Sequence, residues 1–119
     1  MDILKTYEIK VLHLLLSNRL TMVSVDALLR EAKFVRFEET GSGYFLTLEH
    51  PSLPKTRFVF DDPIVIGHVD GVDCGFVVFV ENEQLTIECH SWGAMDVPNG
   101  FREKDNVLIK TTSPREGML

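Results

Sequence analysis

The chain has 119 residues, of which 45% are hydrophobic and 25% charged, and a formal net charge of −6. That length suits one domain, 1–119, with a single core, and the composition excludes extensive disorder. The acidity argues against nucleic-acid partners, because a negative field repels phosphates.

Apolar residues Ile3, Leu4, Tyr7, Val11, Leu12, Leu14, Leu15 and Leu16 include steps of three and four, which predicts an amphipathic helix over 3–20. Ser17 and Asn18, poor helix-interior residues, mark its end. A second, shorter helix is expected from about Ser24, a good N-cap, to Ala32, with Asp26 in the first turn where its charge suits the helix dipole. Two consecutive helices suggest a DNA reader, but the second carries too few bases for that use. No apolar run approaches the roughly 18 residues of a membrane span. The start, MDILKTYEIK, lacks the pattern of a secretory signal, so the expected compartment is the cytoplasm. There Cys74 and Cys89 remain thiols.

Beyond Lys33 the pattern changes to strands. Segments 34–39 and 44–50, joined by Thr40-Gly41-Ser42-Gly43, read as a hairpin. Pro51 and Pro54 make 50–55 a loop. Segment 56–60 reads as a strand closed by an Asp61-Asp62-Pro63 turn, and 64–69 as another strand followed by a glycine-rich loop over 70–75. The clearest hairpin joins 75–81 to 84–92 through Asn82 and Glu83. Residues 101–106 read as solvated, 107–111 as a last strand, and the tail from about Thr112 as loose. Phe34, Phe37, Tyr44, Phe45, Phe58 and Phe60 alternate within short strands without surrounding bases, so core packing is expected rather than a stacking platform for single-stranded nucleic acid. The whole is an α+β domain: two N-terminal helices packed on a mainly antiparallel, twisted sheet of about five or six strands.

Charge is unevenly spread. Residues 61–105 hold ten acids and two bases, a net −8, whereas the first sixty residues sum to +1. The chemically richest stretch, Leu85 to Gly93 (LTIECHSWG), lies in the negative half. With Asn82 and Glu83 as a two-residue turn, Val80 faces Leu85, Val78 faces Ile87 and Phe76 faces Cys89, which makes this the core face. Glu88, His90 and Trp92 then share the opposite face. Cys89 and His90 point to opposite sides and form no nucleophile–base pair, and Cys89 behaves as a small hydrophobe. Glu88, His90 and Trp92 make a recognition patch: tryptophan anchors interfaces, and glutamate pairs with a partner's arginine or lysine. Asp70, Asp73, Glu81 and Glu83, at the loop ends, add charge to it. The competing reading is a metal-dependent or small-molecule enzyme using His68, Asp70, Glu88 and His90. No metal-binding spacing, dinucleotide fingerprint, P-loop or serine elbow is present in the sequence, so no catalytic, metal or cofactor residue is assigned.

The stretch GFVVFVENEQLTIECHSWG, residues 75–93, resembles the C-terminal hairpin of small bacterial proteins, some of them immunity proteins that neutralise a co-encoded toxin. That resemblance implies a non-enzymatic, cytosolic module that covers the active site of a basic toxin. A homodimer through the sheet edge or the tryptophan face is compatible with either functional reading.

Overall fold

The computed structural model describes residues 3–16, 22–93 and 95–112. Its elements are α1 (Thr6–Leu16), α2 (Met22–Glu31), β1 (Lys33–Glu39), β2 (Gly43–Glu49), β3 (Phe58–Val69), β4 (Val72–Glu81), β5 (Gln84–Ser91), a 3₁₀ turn (Phe101–Glu103) and β6 (Leu108–Thr112). The strands form one sheet in the order β1-β2-β5-β4-β3-β6, antiparallel at every step. The α+β class and the six strands agree with the sequence reading. Ser17 and Asn18, expected to end the first helix, and the tail beyond Thr112 lie outside the described residues.

Local chemistry sets where the helices begin. Lys5 precedes α1, its carbonyl accepts the Ile9 N–H at 3.0 Å, and its own N–H donates to Glu8 Oε1 at 2.8 Å. A glutamate in the first turn thus reaches back to the capping N–H, one half of a capping box. The helix therefore begins at Thr6 rather than at Ile3. Helix α2 begins at Met22, two residues before the expected cap at Ser24.

One sheet face is the core. Tyr44, Leu46 and Leu48 of β2, Leu85, Ile87 and Cys89 of β5, and Phe76, Val78 and Val80 of β4 are buried there with Val11, Leu12, Leu15 and Leu16 of α1 and Val25 and Leu28 of α2. Val97 and Phe101, from the connection between β5 and β6, complete this layer. Residues 101–106 are therefore not all solvated: Phe101 is buried and Arg102 is half-buried. Phe101 is drawn in by its apolar area.

Three further sequence expectations are corrected. Asp61-Asp62-Pro63 does not end a strand. Five steps of β3 from Phe60 to Val65 span only two on β4 from Val78 to Phe76, so the segment bulges and the strand continues. A bulge is where a sheet tolerates proline, which has no N–H for the ladder. The loop expected over 70–75 shrinks to Asp70 and Gly71, both left-handed with φ 54° and 78°, and pairing resumes at Val72. Two consecutive positive φ values are what a tight hairpin turn requires. Finally, Phe34 and Phe58 are 54% and 47% exposed. They face the helix side, opposite Leu48 and Val80, but at strand positions with no outer neighbour to shield them. Phe45 lies on the other face, opposite Glu88.

Candidate functional site

The β4–β5 hairpin has the register read from the sequence: Val80 pairs with Leu85, Val78 with Ile87 and Phe76 with Cys89. Asn82 and Glu83 form the turn with φ 54° and 63°. The helices cover the side that carries the core. On the opposite side, Glu88 sits in the middle of the sheet between Phe45 of β2 and Val77 of β4. Among the described residues its carboxylate has no hydrogen-bond or ion-pair partner. The apolar flanks make that notable, because a carboxylate beside apolar surface is poorly solvated unless it meets a cation.

One residue pair further along, His90 faces Gly75. A Cβ at position 75 would stand 2.5 Å from His90 Cε1, 2.8 Å from His90 Nε2 and 3.1 Å from Trp92 Cε3. Only a glycine lets the imidazole approach β4 this closely with the indole beside it, the ring centroids 6.3 Å apart. His90 Nδ1 lies 3.1 Å from the Ser91 carbonyl, which only accepts, so Nδ1 carries the proton and Nε2 is left as an acceptor in the neutral ring. Trp92 is 46% exposed, and its backbone N–H still reaches the Asp73 carbonyl at 3.3 Å, which holds the residue to the sheet after β5 ends.

On the next strand pair His68 Nδ1 donates to Asp73 Oδ1 at 2.6 Å, which leaves its Nε2 as the acceptor in the neutral ring. The patch is thus Glu88, His90 and Trp92 with His68 and Asp73 alongside. The other expected members fall elsewhere. Asp70, on the β3–β4 turn, pairs with Lys104 at 2.9 Å. Glu81 pairs with Arg57 at 3.5 Å, and Glu83 stands on the β4–β5 turn, at the end of the hairpin farthest from Trp92. The length of β5 puts roughly 25 Å between the two ends. At that far end Arg36 lies 4.0 Å from Glu38, and Arg57 also stands 5.4 Å from the Phe79 ring.

The set His68, Asp70, Glu88 and His90 is only partly brought together: His68 takes Asp73 rather than Asp70. No group of three or more His, Cys, Asp or Glu side chains able to hold a metal ion occurs among the described residues. Cys74 and Cys89 are free thiols buried in the core. A hydrogen bond from Cys74 and burial push the Cys89 thiol far up, which removes it as a nucleophile.

A polar cluster on the helix side escaped the sequence reading. Glu8, fully buried, receives Arg102 Nε on Oε2 at 2.9 Å and Arg102 Nη2 on Oε1 at 3.0 Å, while the Tyr44 hydroxyl donates to Oε2 at 2.6 Å. Tyr7 lies 3.0 Å from the Tyr44 hydroxyl and donates to the Arg102 carbonyl at 3.1 Å. Burial works against the Arg102 charge, but hydrogen bonds and attraction from Glu8 outweigh it and raise the guanidinium further. Every buried side-chain polar atom among the described residues has a partner, so this cluster reads as structural glue between α1, β2 and the 3₁₀ turn. Glu8 and Arg102 lie 94 positions apart, and only the Glu8 cap was open to sequence inspection.

Among the described residues no helix is long and apolar enough to cross a membrane. The chain matches no protein-family model, no curated protein and no solved structure.

Proposed function

We propose that the chain is a non-enzymatic protein-binding module whose uncovered sheet face receives a basic partner, most concretely an immunity protein that occludes the active site of a bacterial toxin in the cytoplasm. The observation that carries this reading is Glu88: a carboxylate without a hydrogen-bond or ion-pair partner among the described residues, set between Phe45 and Val77 in the middle of an open face, with the Trp92 indole exposed beside the His90 ring. Such a surface matches an arginine or lysine on the partner. The carboxylate takes the charge, the indole offers its π-face to the cation, and the Nε2 atoms of His90 and His68 accept hydrogen bonds.

Asp70, Asp73, Glu81 and Glu83 act over a longer range. They supply part of the −8 carried by residues 61–105, which steers a basic partner and sets the association rate more than the final affinity. The resemblance of residues 75–93 to immunity-protein hairpins points the same way. The reading is tested by replacing Trp92 with Ala and Glu88 with Lys together. Partner retention should be lost while the fold is kept, and retention by the wild type should weaken as salt rises.

A second reading, a small-molecule or metal-dependent enzyme, is favoured by one contact, the 2.6 Å His68–Asp73 pair, which orients an imidazole as a general base or ligand. Metal analysis of the purified chain checks it. A stoichiometric transition metal whose removal by a chelator lowers the Tm would favour this reading over the binding module.

A further inference from the structure

His50 follows β2 and is only 8% exposed, and both of its ring nitrogens are engaged. Nδ1 accepts the Ser52 backbone N–H at 3.0 Å and lies 2.7 Å from the Ser52 hydroxyl oxygen. Nε2 lies 2.9 Å from Oε1 of Glu31, the last residue of α2. A backbone N–H can only donate, so Nδ1 is the acceptor and Nε2–H donates to Glu31 Oε1. The tautomer is therefore set: the one Nδ1 lone pair is shared between the Ser52 N–H and the Ser52 hydroxyl, and a carboxylate stands on the far side of the ring.

A turn alone does not need this arrangement. The 50–53 turn closes through the Leu53 N–H to the His50 carbonyl at 3.1 Å, and the Ser52 N–H to Nδ1 braces it. The serine hydroxyl and Glu31 are additional. Hydroxyl, base and orienting acid within hydrogen-bond reach are the geometric signature of an activated nucleophile, whatever the chain order. Ser52 is exposed, so an electrophile can reach it from solvent. A cleft of about 280 Å³ lies on the Glu31 side of the same histidine, walled by Lys33, Glu49, Pro51, Asn82 and Glu83 but not by Ser52, so an acyl group would reach the serine from open solvent.

We propose that Ser52 is a base-activated nucleophile, with His50 the base and Glu31 its positioning residue, that takes an acyl or phosphonyl group from an activated ester. In acyl transfer the Ser52 hydroxyl proton passes to His50 Nδ1 as the oxygen bonds to the carbonyl carbon. The tetrahedral intermediate collapses with cleavage of the bond to the leaving oxygen, and that oxygen takes the proton from Nδ1. Glu31 stabilises the transient imidazolium. Protonated Nδ1 faces the Ser52 N–H, so this backbone contact must loosen as the acyl-serine forms; the transfer is stoichiometric and adds no turnover to the binding module.

The test uses the folded full chain and a fluorophosphonate, whose reaction with serine forms an oxygen–phosphorus bond and releases fluoride. Intact mass and peptide mapping should find one adduct, at Ser52, and none there in Ser52→Ala. Glu31→Gln, at an exposed helix end, should label at least about tenfold more slowly with its thermal melt unchanged. Absence of an adduct at Ser52 in the folded wild type would overturn the proposal. An adduct forming equally fast in Glu31→Gln would also overturn it and leave the Ser52–His50–Glu31 contacts as a turn brace.

Discussion

At the scale of single residues, the patch and the buried cluster make opposite uses of a glutamate. Among the described residues Glu88 lacks a hydrogen-bond or ion-pair partner on an open face, whereas Glu8 is saturated by Arg102, Tyr44 and the Lys5 N–H. Removing Glu8 strands a guanidinium that is only 13% exposed, so Glu8→Ala should cost about 3–5 kcal/mol, read from the shift in urea midpoint. Glu88→Ala should leave that midpoint within about 0.5 kcal/mol, since it deletes no hydrogen bond or ion pair among the described residues. The phenols of the same cluster set a pH dependence. Burial first, with repulsion from Glu8, holds Tyr7 and Tyr44 well above the ordinary tyrosine value. The folded chain keeps protons that the unfolded chain releases above about pH 10, so this stability is complete below that value and is lost as pH rises beyond it. Buried Cys89 has the same sign. Midpoints measured from pH 8 to 11 should fall at the alkaline end, and less steeply in Tyr7→Phe.

At the scale of elements, the β4–β5 hairpin carries the proposed docking patch, and two of its positions test how. Gly75 makes space for the His90 ring, so Gly75→Ala should displace His90 and Trp92 and weaken partner binding about as much as losing Trp92, while the core-facing residues stay in place. Glu83 holds a left-handed conformation, φ 63°, that a side chain disfavours by about 1–2 kcal/mol. Glu83→Gly should therefore raise stability by about 1 kcal/mol in chemical denaturation and leave the binding patch untouched. This hairpin was legible in the sequence because its period-two alternation has a single consistent register once a two-residue turn is assumed; a slip by one would turn Val78, Val80 and Ile87 out of the core. The bulge after Phe60 was not legible. Asp-Asp-Pro is a turn signal locally, and only the neighbouring β4 and β6 show that the strand carries on. Contacts between distant segments were equally hidden. Nothing near Arg102 announces Glu8, and nothing near His50 announces Glu31.

At the scale of the molecule, the sheet divides the functions. One face is sealed by two helices and the connection before β6. The other is open, with paired charges near the β4–β5 turn and, toward the opposite end, a carboxylate unpaired among the described residues, two imidazoles and an indole. The His50–Ser52 turn lies near the first end, bonded to the Glu83 carbonyl through the His50 N–H at 3.1 Å, so the proposed nucleophile and the proposed docking patch can be altered separately. Net charge alone does not account for docking in this view, and a charge reversal far from the patch separates the two effects. Glu83→Lys changes the total as much as Glu88→Lys but should only slow association. The decisive measurement is retention of a partner from lysate of the native organism by wild type, Glu83→Lys and the Trp92→Ala/Glu88→Lys variant, each at low and moderate salt. The account expects a basic protein held by the wild type and by Glu83→Lys, more weakly as salt rises, and lost from the double variant by on the order of a hundredfold in affinity. Equal retention by all three, or a partner lost with Glu83→Lys and kept by the double variant, would contradict it.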